Sequence, residues 1–107
     1  MMRDETLGLV ERLGPHADKA ASLFKALAHE SRLMILCHLE KGERSVGELE
    51  KLLHIRQSAV SQQLSRLRED GLVEARRDGK TVYYSLKDGS VMPVLGSLSE
   101  ALIYLPI

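Results

Sequence analysis

Gln57–Leu86 reads QSAVSQQLSRLREDGLVEARRDGKTVYYSL, and the fold turns on how its pieces follow one another. From Gln57 to about Glu69, Val60, Leu64 and Leu67 recur at helical spacing. The positions between them are mostly Gln, Ser and Arg, and no acid occurs before Glu69. Asp70-Gly71 ends this helix, and apolar alternation over Leu72–Ala75 and Thr81–Leu86 predicts two strands. The turn at Asp78-Gly79 supplies the positive φ that a tight hairpin demands. A polar, acid-poor helix followed by a hairpin bearing Arg76, Arg77 and Lys80 predicts a winged helix-turn-helix, mainly α with a β-hairpin wing. Amide and hydroxyl side chains both donate and accept, so such a helix suits the base edges and phosphates of a DNA groove, as Glu or Leu would not.

Working outward, Ser45-Val46-Gly47-Glu48 fits a capping box that opens a short helix from Val46 to about Leu53. His54-Ile55-Arg56 then makes the turn into the Gln57 helix, the spacing of a helix-turn-helix. Arg56 stands where Ser or Asp is preferred, so that helix starts without a strong side-chain cap. Leu7–Leu13 is a short apolar-patterned segment stopped by Gly14-Pro15. Ala20, Leu23, Phe24 and Leu27 mark an amphipathic helix from Ala17. Glu30 or Ser31 opens the next, through Leu33, Leu36, Cys37 and Leu39 to a stop at Lys41-Gly42.

After Asp88-Gly89, Val91, Leu95, Leu98, Leu102 and Leu105 fall at spacings of four, three, four and three, a coiled-coil-like seam. Pro93 sits in the first turn of that helix, where its missing N–H costs little. The seam either packs on the chain's own core or forms a dimer face. A narrow Leu stripe on a chain-end helix, with little else to cover it, favours the dimer face.

At 107 residues, 44% of them apolar, the chain is one domain able to bury a core with few aromatics and no Trp. No apolar run approaches the roughly 20 residues of a membrane span, and Met1–Glu5 lack the apolar stretch of a signal peptide. A single cysteine, Cys37, excludes an internal disulfide and suggests a reducing, cytoplasmic setting. Net charge is zero, but between His54 and Lys80 six basic residues face four acids. That balance disfavours a sequence-indifferent DNA coat while leaving room for a locally basic face. Catalysis finds no support: there is no phosphate-binding glycine loop, and the adjacent Cys37 and His38 diverge by about 100° on a helix.

FKALAHESRLMILCHL (Phe24–Leu39), SVGELEKLL (Ser45–Leu53), QSAVSQQLSRLREDGLV (Gln57–Val73) and DGKTVYYSL (Asp78–Leu86) together resemble the ArsR/SmtB type of bacterial transcriptional repressors. The resemblance implies a homodimer with contacts from the first and last helices, bound to double-stranded operator DNA until an inducer, here unknown, releases it. By position it implies that Gln57, Ser58, Ser61, Gln62 and Ser65 lie near base edges and Arg66 or Arg68 on phosphate. Arg76, Arg77 and Lys80 of the wing then reach flanking phosphate or the minor groove. Blander roles stand beside these: Ser58 and Ser61 as helix-end stabilisers, Arg68 as a partner of solvated acids. A two-fold dimer implies an inverted-repeat operator with reading helices roughly 34 Å apart. The competing function is a winged-helix module for protein docking or dimerisation without specific DNA binding.

Metal sites common in that family do not carry over. Ser45 and Gly47 occupy the places of a Cys-x-Cys pair, and only Asp88 survives of a second set whose other places hold Ser90, Ala101 and Tyr104. Asp88 is then expected as a helix N-cap, and no metal or cofactor is expected. The chain looks closer to the non-metal branch that answers reactive sulfur or oxidants through two thiols; it has one, Cys37. Among Leu33, Ile35, Leu36 and Leu39, Cys37 reads either as an inert small apolar core residue or as a redox site through sulfenic acid, persulfide or an external thiol.

Overall fold

The computed structural model describes residues 7–89 and 91–107; the N-terminal Met1–Thr6 and Ser90 lie outside the described residues. The capping box forms as expected. Ser45 Oγ accepts from the Glu48 N–H at 3.1 Å, and the Ser45 N–H donates to Glu48 Oε1 at 3.0 Å. These bonds open α4 (Val46–Leu53), which His54 closes in the left-handed conformation at φ 56°. α5 (Gln57–Glu69) follows with Arg56 at its N-cap and no capping side chain. Its inward Val60, Leu64 and Leu67 are fully buried. Burial of each contributes about 1.5–3 kcal/mol, which outweighs the roughly 1 kcal/mol that a missing cap costs.

α5 ends in a Schellman motif. The Leu72 N–H donates to Leu67 O and the Gly71 N–H to Arg68 O, each at 3.0 Å, with Gly71 at φ 75°. Leu72, expected to start the strand, completes this cap instead. The wing is β2 (Val73–Asp78) paired antiparallel with β3 (Thr81–Leu86), Asp78 opposite Thr81. Gly79 and Lys80 make the turn, and of the two only Gly79 has positive φ, at 61°. A third strand that the sequence did not suggest, β1 (Arg44–Ser45), pairs with β3 through Arg44–Tyr84 and Ser45–Tyr83, giving the order β1-β3-β2.

Upstream, α1 (Leu9–Leu13) ends at Gly14-Pro15 as expected, and a 3₁₀ turn over Gly14–His16 leads directly into α2 (Ala17–Leu27). α3 (Glu30–His38) opens at Glu30, within the expected pair, and is capped by His29, whose Nδ1 accepts from the Ser31 N–H at 3.2 Å. It ends before Lys41-Gly42. Phe24, expected on the inward stripe of α2, is 64% exposed, while Ala26 and Leu27 are buried. The core joins these to Ile35, Leu36 and Leu39 around α3, Leu49 of α4, the three α5 residues and Val73.

α6 (Met92–Ala101) starts from Val91 with Pro93 in its first turn, so Asp88 is not its N-cap. Val91 and Leu95 are buried in the protomer's own core, which removes them from an exposed dimer face. The helix also stops short of Leu105. Past Ala101 the Ile103 and Tyr104 N–H groups donate three residues back, to Glu100 O and Ala101 O, and Pro106 disfavours helix at Leu105.

Candidate nucleic-acid interface

With its apolar residues turned into the core, α5 presents Gln57, Ser58, Gln62, Ser65, Arg66 and Arg68 outward, and Ser61 half-buried. Arg66 is engaged within its own helix end, Nε donating to Asp70 Oδ2 at 2.9 Å. Arg68 has no partner among the described residues, so it pairs with no acid of the chain among them.

The wing separates its cations. Successive strand residues point to opposite faces, so Arg76 and Arg77 cannot address one surface together. Arg76 shares a face with Tyr83, its guanidinium carbon 4.9 Å from the ring centroid. Its Nε donates to Glu43 Oε2 at 3.1 Å, Nη2 donates to Oε1, and Asp78 lies 3.9 Å away. That grip holds the Glu43 carboxyl below the usual carboxylate range. Arg77, opposite Val82, and Lys80 in the turn are exposed without partners among the described residues. The free cations of the wing are thus Arg77 and Lys80, with Arg76 already committed.

Sequence reasoning passed over a contact behind the reading face. Gln63, half-buried on α5, accepts from Arg32 Nη1 at 3.0 Å, and the same guanidinium donates to Ala26 O and Lys25 O at 2.7 and 3.1 Å. A signal was available: Arg32 is a cation in the first turn of α3, where the helix dipole disfavours one, which marks it for another duty.

Cys37 is exposed, which corrects the core reading. Ile35, Leu36 and Leu39 fill the inner side of α3, and Cys37 turns away from them. Partial burial of the thiol, and then the Glu40 carboxylate, push its pKa up. A metal suits neither inherited place. The Ser45 hydroxyl is committed to the capping box, Gly47 has no side chain, and Ala101 offers no donor, while Ser90 lies outside the described residues. No helix among the described residues is long and apolar enough to cross a membrane.

α6 leaves Leu98 half-buried and Leu102 and Leu105 exposed. Between α6 and the α2–α3 corner runs an open apolar groove of about 760 Å³, with Phe24, Leu27, Leu33, Val94 and Leu98 in its walls.

Known proteins carry this same arrangement. The family described as bacterial regulatory protein, arsR family, matches residues 29–75, from the His29 cap into β2. The biofilm growth-associated repressor of Xylella fastidiosa (strain Temecula1) is 42% identical over 99 residues, covering 91% of this chain and 87% of that protein. The crystal structure of the transcriptional repressor BigR from Xylella fastidiosa superposes with a TM-score of 0.80 at 40% identity, over 91% of this chain and 97% of that one. A solution structure from Mycobacterium bovis, described as a homodimeric winged helix-turn-helix DNA-binding domain, gives 0.75 at 31% identity, over 94% of each chain. From the α4–α5 pair, the wing and these likenesses together, the chain belongs to the arsR family of bacterial regulatory proteins and is a winged helix-turn-helix transcriptional regulator.

Proposed function

We propose that the protein is a homodimeric repressor that holds an inverted-repeat operator, one α5 in each of two successive major grooves. The observation that carries this is the outward face of α5, where Gln57, Ser58, Gln62 and Ser65 stand exposed with no acid among them, over a fully buried apolar back. Gln57, Ser58, Ser61, Gln62 and Ser65 are the base-edge contacts, and Arg68 and Arg66 the phosphate contacts. Arg66 reaches phosphate by exchanging Asp70 for it. Arg77 and Lys80 meet the flanking backbone; Arg76, held by Glu43 on the opposite face of β2, can reach phosphate only after Glu43 releases it, and then from its own side of the hairpin.

The whole chain acts as one domain, and its terminal helices meet the second copy. Leu98, Leu102 and Leu105 form that face together with the exposed Phe24; Val91 and Leu95 support it from within. The working place is the bacterial cytoplasm, where promoter DNA lies. Thiol sensing through Cys37 meets two opposed conditions. Its exposure admits an oxidant or a persulfide donor, but its raised pKa lowers the thiolate fraction.

Fluorescence anisotropy on the duplex upstream of the protein's own gene tests the reading. Each phosphate contact steepens the log–log salt dependence by about 0.9. The expected result is salt-sensitive binding that Gln62→Ala and Arg66→Ala weaken while sedimentation still finds dimers. Absence of DNA affinity, with dimers broken by those same changes, would instead make the domain a protein-docking module. Repeating the titration with polysulfide-treated protein and with Cys37→Ser isolates the thiol.

A further inference from the structure

The buried stripe of Val60, Leu64 and Leu67 decides which face of α5 turns inward. Hydrophobic contact is non-directional in detail, so the stripe leaves the fine rotation of the helix less sharply set than a hydrogen bond would. Rotation matters to a reading helix, because Gln62 and Ser65 must meet base edges at hydrogen-bond geometry. A directional tie is needed, and Gln63 supplies one.

Arg32 bridges two helices with one planar group. Nε and Nη2 hold the last-turn carbonyls of α2 at Ala26 and Lys25, the negative end of that helix, and Nη1 holds Gln63 Oε1. Gln63 Nε2 also lies 3.5 Å from His29 Nε2, beside the cap of α3. A guanidinium fork can serve three acceptors in fixed directions; the point charge of a lysine cannot. Gln63 is the chain neighbour of Gln62, about 100° around the helix, so fixing one side chain's anchor sets the heading of the other.

We propose that Arg32 is a positioning residue for operator recognition: through Gln63 it locks the rotation of α5 against the end of α2 and so decides which base edges Gln62 and Ser65 reach. This rests on the reading of α5 as the base-reading helix. Arg32 itself touches no base. Because α2 also carries Phe24 of the apolar groove, the link joins the proposed dimer seam to the reading helix.

The test takes the full-length wild-type protein, lets it enrich a duplex from a random library, and measures anisotropy on that duplex and on a scrambled one. The variants are Arg32→Lys, Gln63→Met, their double, and Gln62→Ala. Arg32→Lys and Gln63→Met are each expected to weaken the enriched duplex about ten-fold and leave the scrambled one unchanged. The double variant should be no weaker than the worse single one, the signature of two residues acting through one contact.

A brace needed only for folding would lower the melting temperature without altering the ratio of the two affinities, and that result overturns the proposal. So do equal losses on both duplexes, or losses that multiply in the double variant. If Arg32→Lys does not fold, Gln63→Met is compared with Gln63→Glu, which keeps an acceptor for the guanidinium and should restore the wild-type ratio. Failure of the underlying reading looks different: wild type then enriches no sequence at all. Loss of discrimination in Gln62→Ala, with Arg32→Lys and Gln63→Met discriminating normally, sinks the positioning role alone.

Discussion

Arg76 lies over Tyr83 across the β2–β3 ladder, 4.9 Å from the ring centroid, while Glu43 accepts from two nitrogens of the same guanidinium. A basic residue at a wing is readily counted toward DNA affinity, yet this one is already neutralised by an acid outside the hairpin.

Glu43→Gln should therefore loosen Arg76 for a phosphate. The expected outcome is tighter binding to any duplex and a salt slope steeper by up to about 0.9. Arg77→Ala, which removes a cation without a described partner, should flatten the slope by a similar amount. Slopes unchanged from wild type in both variants would show that the wing makes no backbone contact.

The same ion pair gives a pH signature. Hydrogen bonding from Arg76 lowers the Glu43 pKa on folding. A carboxyl lowered in this way stabilises the fold fully above its unfolded pKa and loses that contribution as pH falls through the folded one. Both partners are exposed, so the effect is small. The melting-temperature gap between wild type and Glu43→Gln should be constant near neutrality and close below the ordinary glutamate range, about pH 4.3. A gap that persists undiminished in stronger acid contradicts the linkage.

Exposure of Cys37 predicts that Cys37→Ser shifts stability by no more than about 0.5 kcal/mol. Its raised pKa predicts slower alkylation at neutral pH than an unhindered thiol shows, and Glu40→Gln should quicken it. A loss of several kcal/mol in Cys37→Ser would return the residue to the core.

The terminal stripe divides into two kinds of position. Leu95→Ala, within the core, should destabilise the protomer by about 2–5 kcal/mol in thermal or urea unfolding. Phe24→Glu and Leu102→Glu, both at exposed sites, should leave the fold intact and move the sedimentation profile toward monomer. Dimers that survive both changes place the seam elsewhere.

What could be read in advance was local. The capping box at Ser45, the limits of α5 and the Gly71 stop depend on neighbours within a few residues, and each was legible. β1 was not, because Arg44 and Ser45 become a strand only by meeting Tyr84 and Tyr83, remote in the chain. Cys37 was misread because α3 is apolar on more than one side, Leu33 and Met34 included, so spacing could not say which way the thiol turns. Leu105 was placed on α6 by periodicity alone, although Pro106 beside it argued against helix. The contacts of Arg32 join three helices, and only its place as a cation in the first turn of α3 hints at them.

β1 also changes what kind of object the wing is. With Arg44–Tyr84 and Ser45–Tyr83 paired, the chain from α4 through β3 becomes a closed hoop fastened at its foot, with the reading helix and the hairpin on one circuit. A wing held only by its own turn would flap independently of α5. Here a push on the wing tip is delivered to the start of α4, and a tilt of α4–α5 is returned to the wing. If α5 takes the groove and the wing the flanking backbone, as proposed, the two form a single jaw, and distortion of the DNA at one is felt at the other.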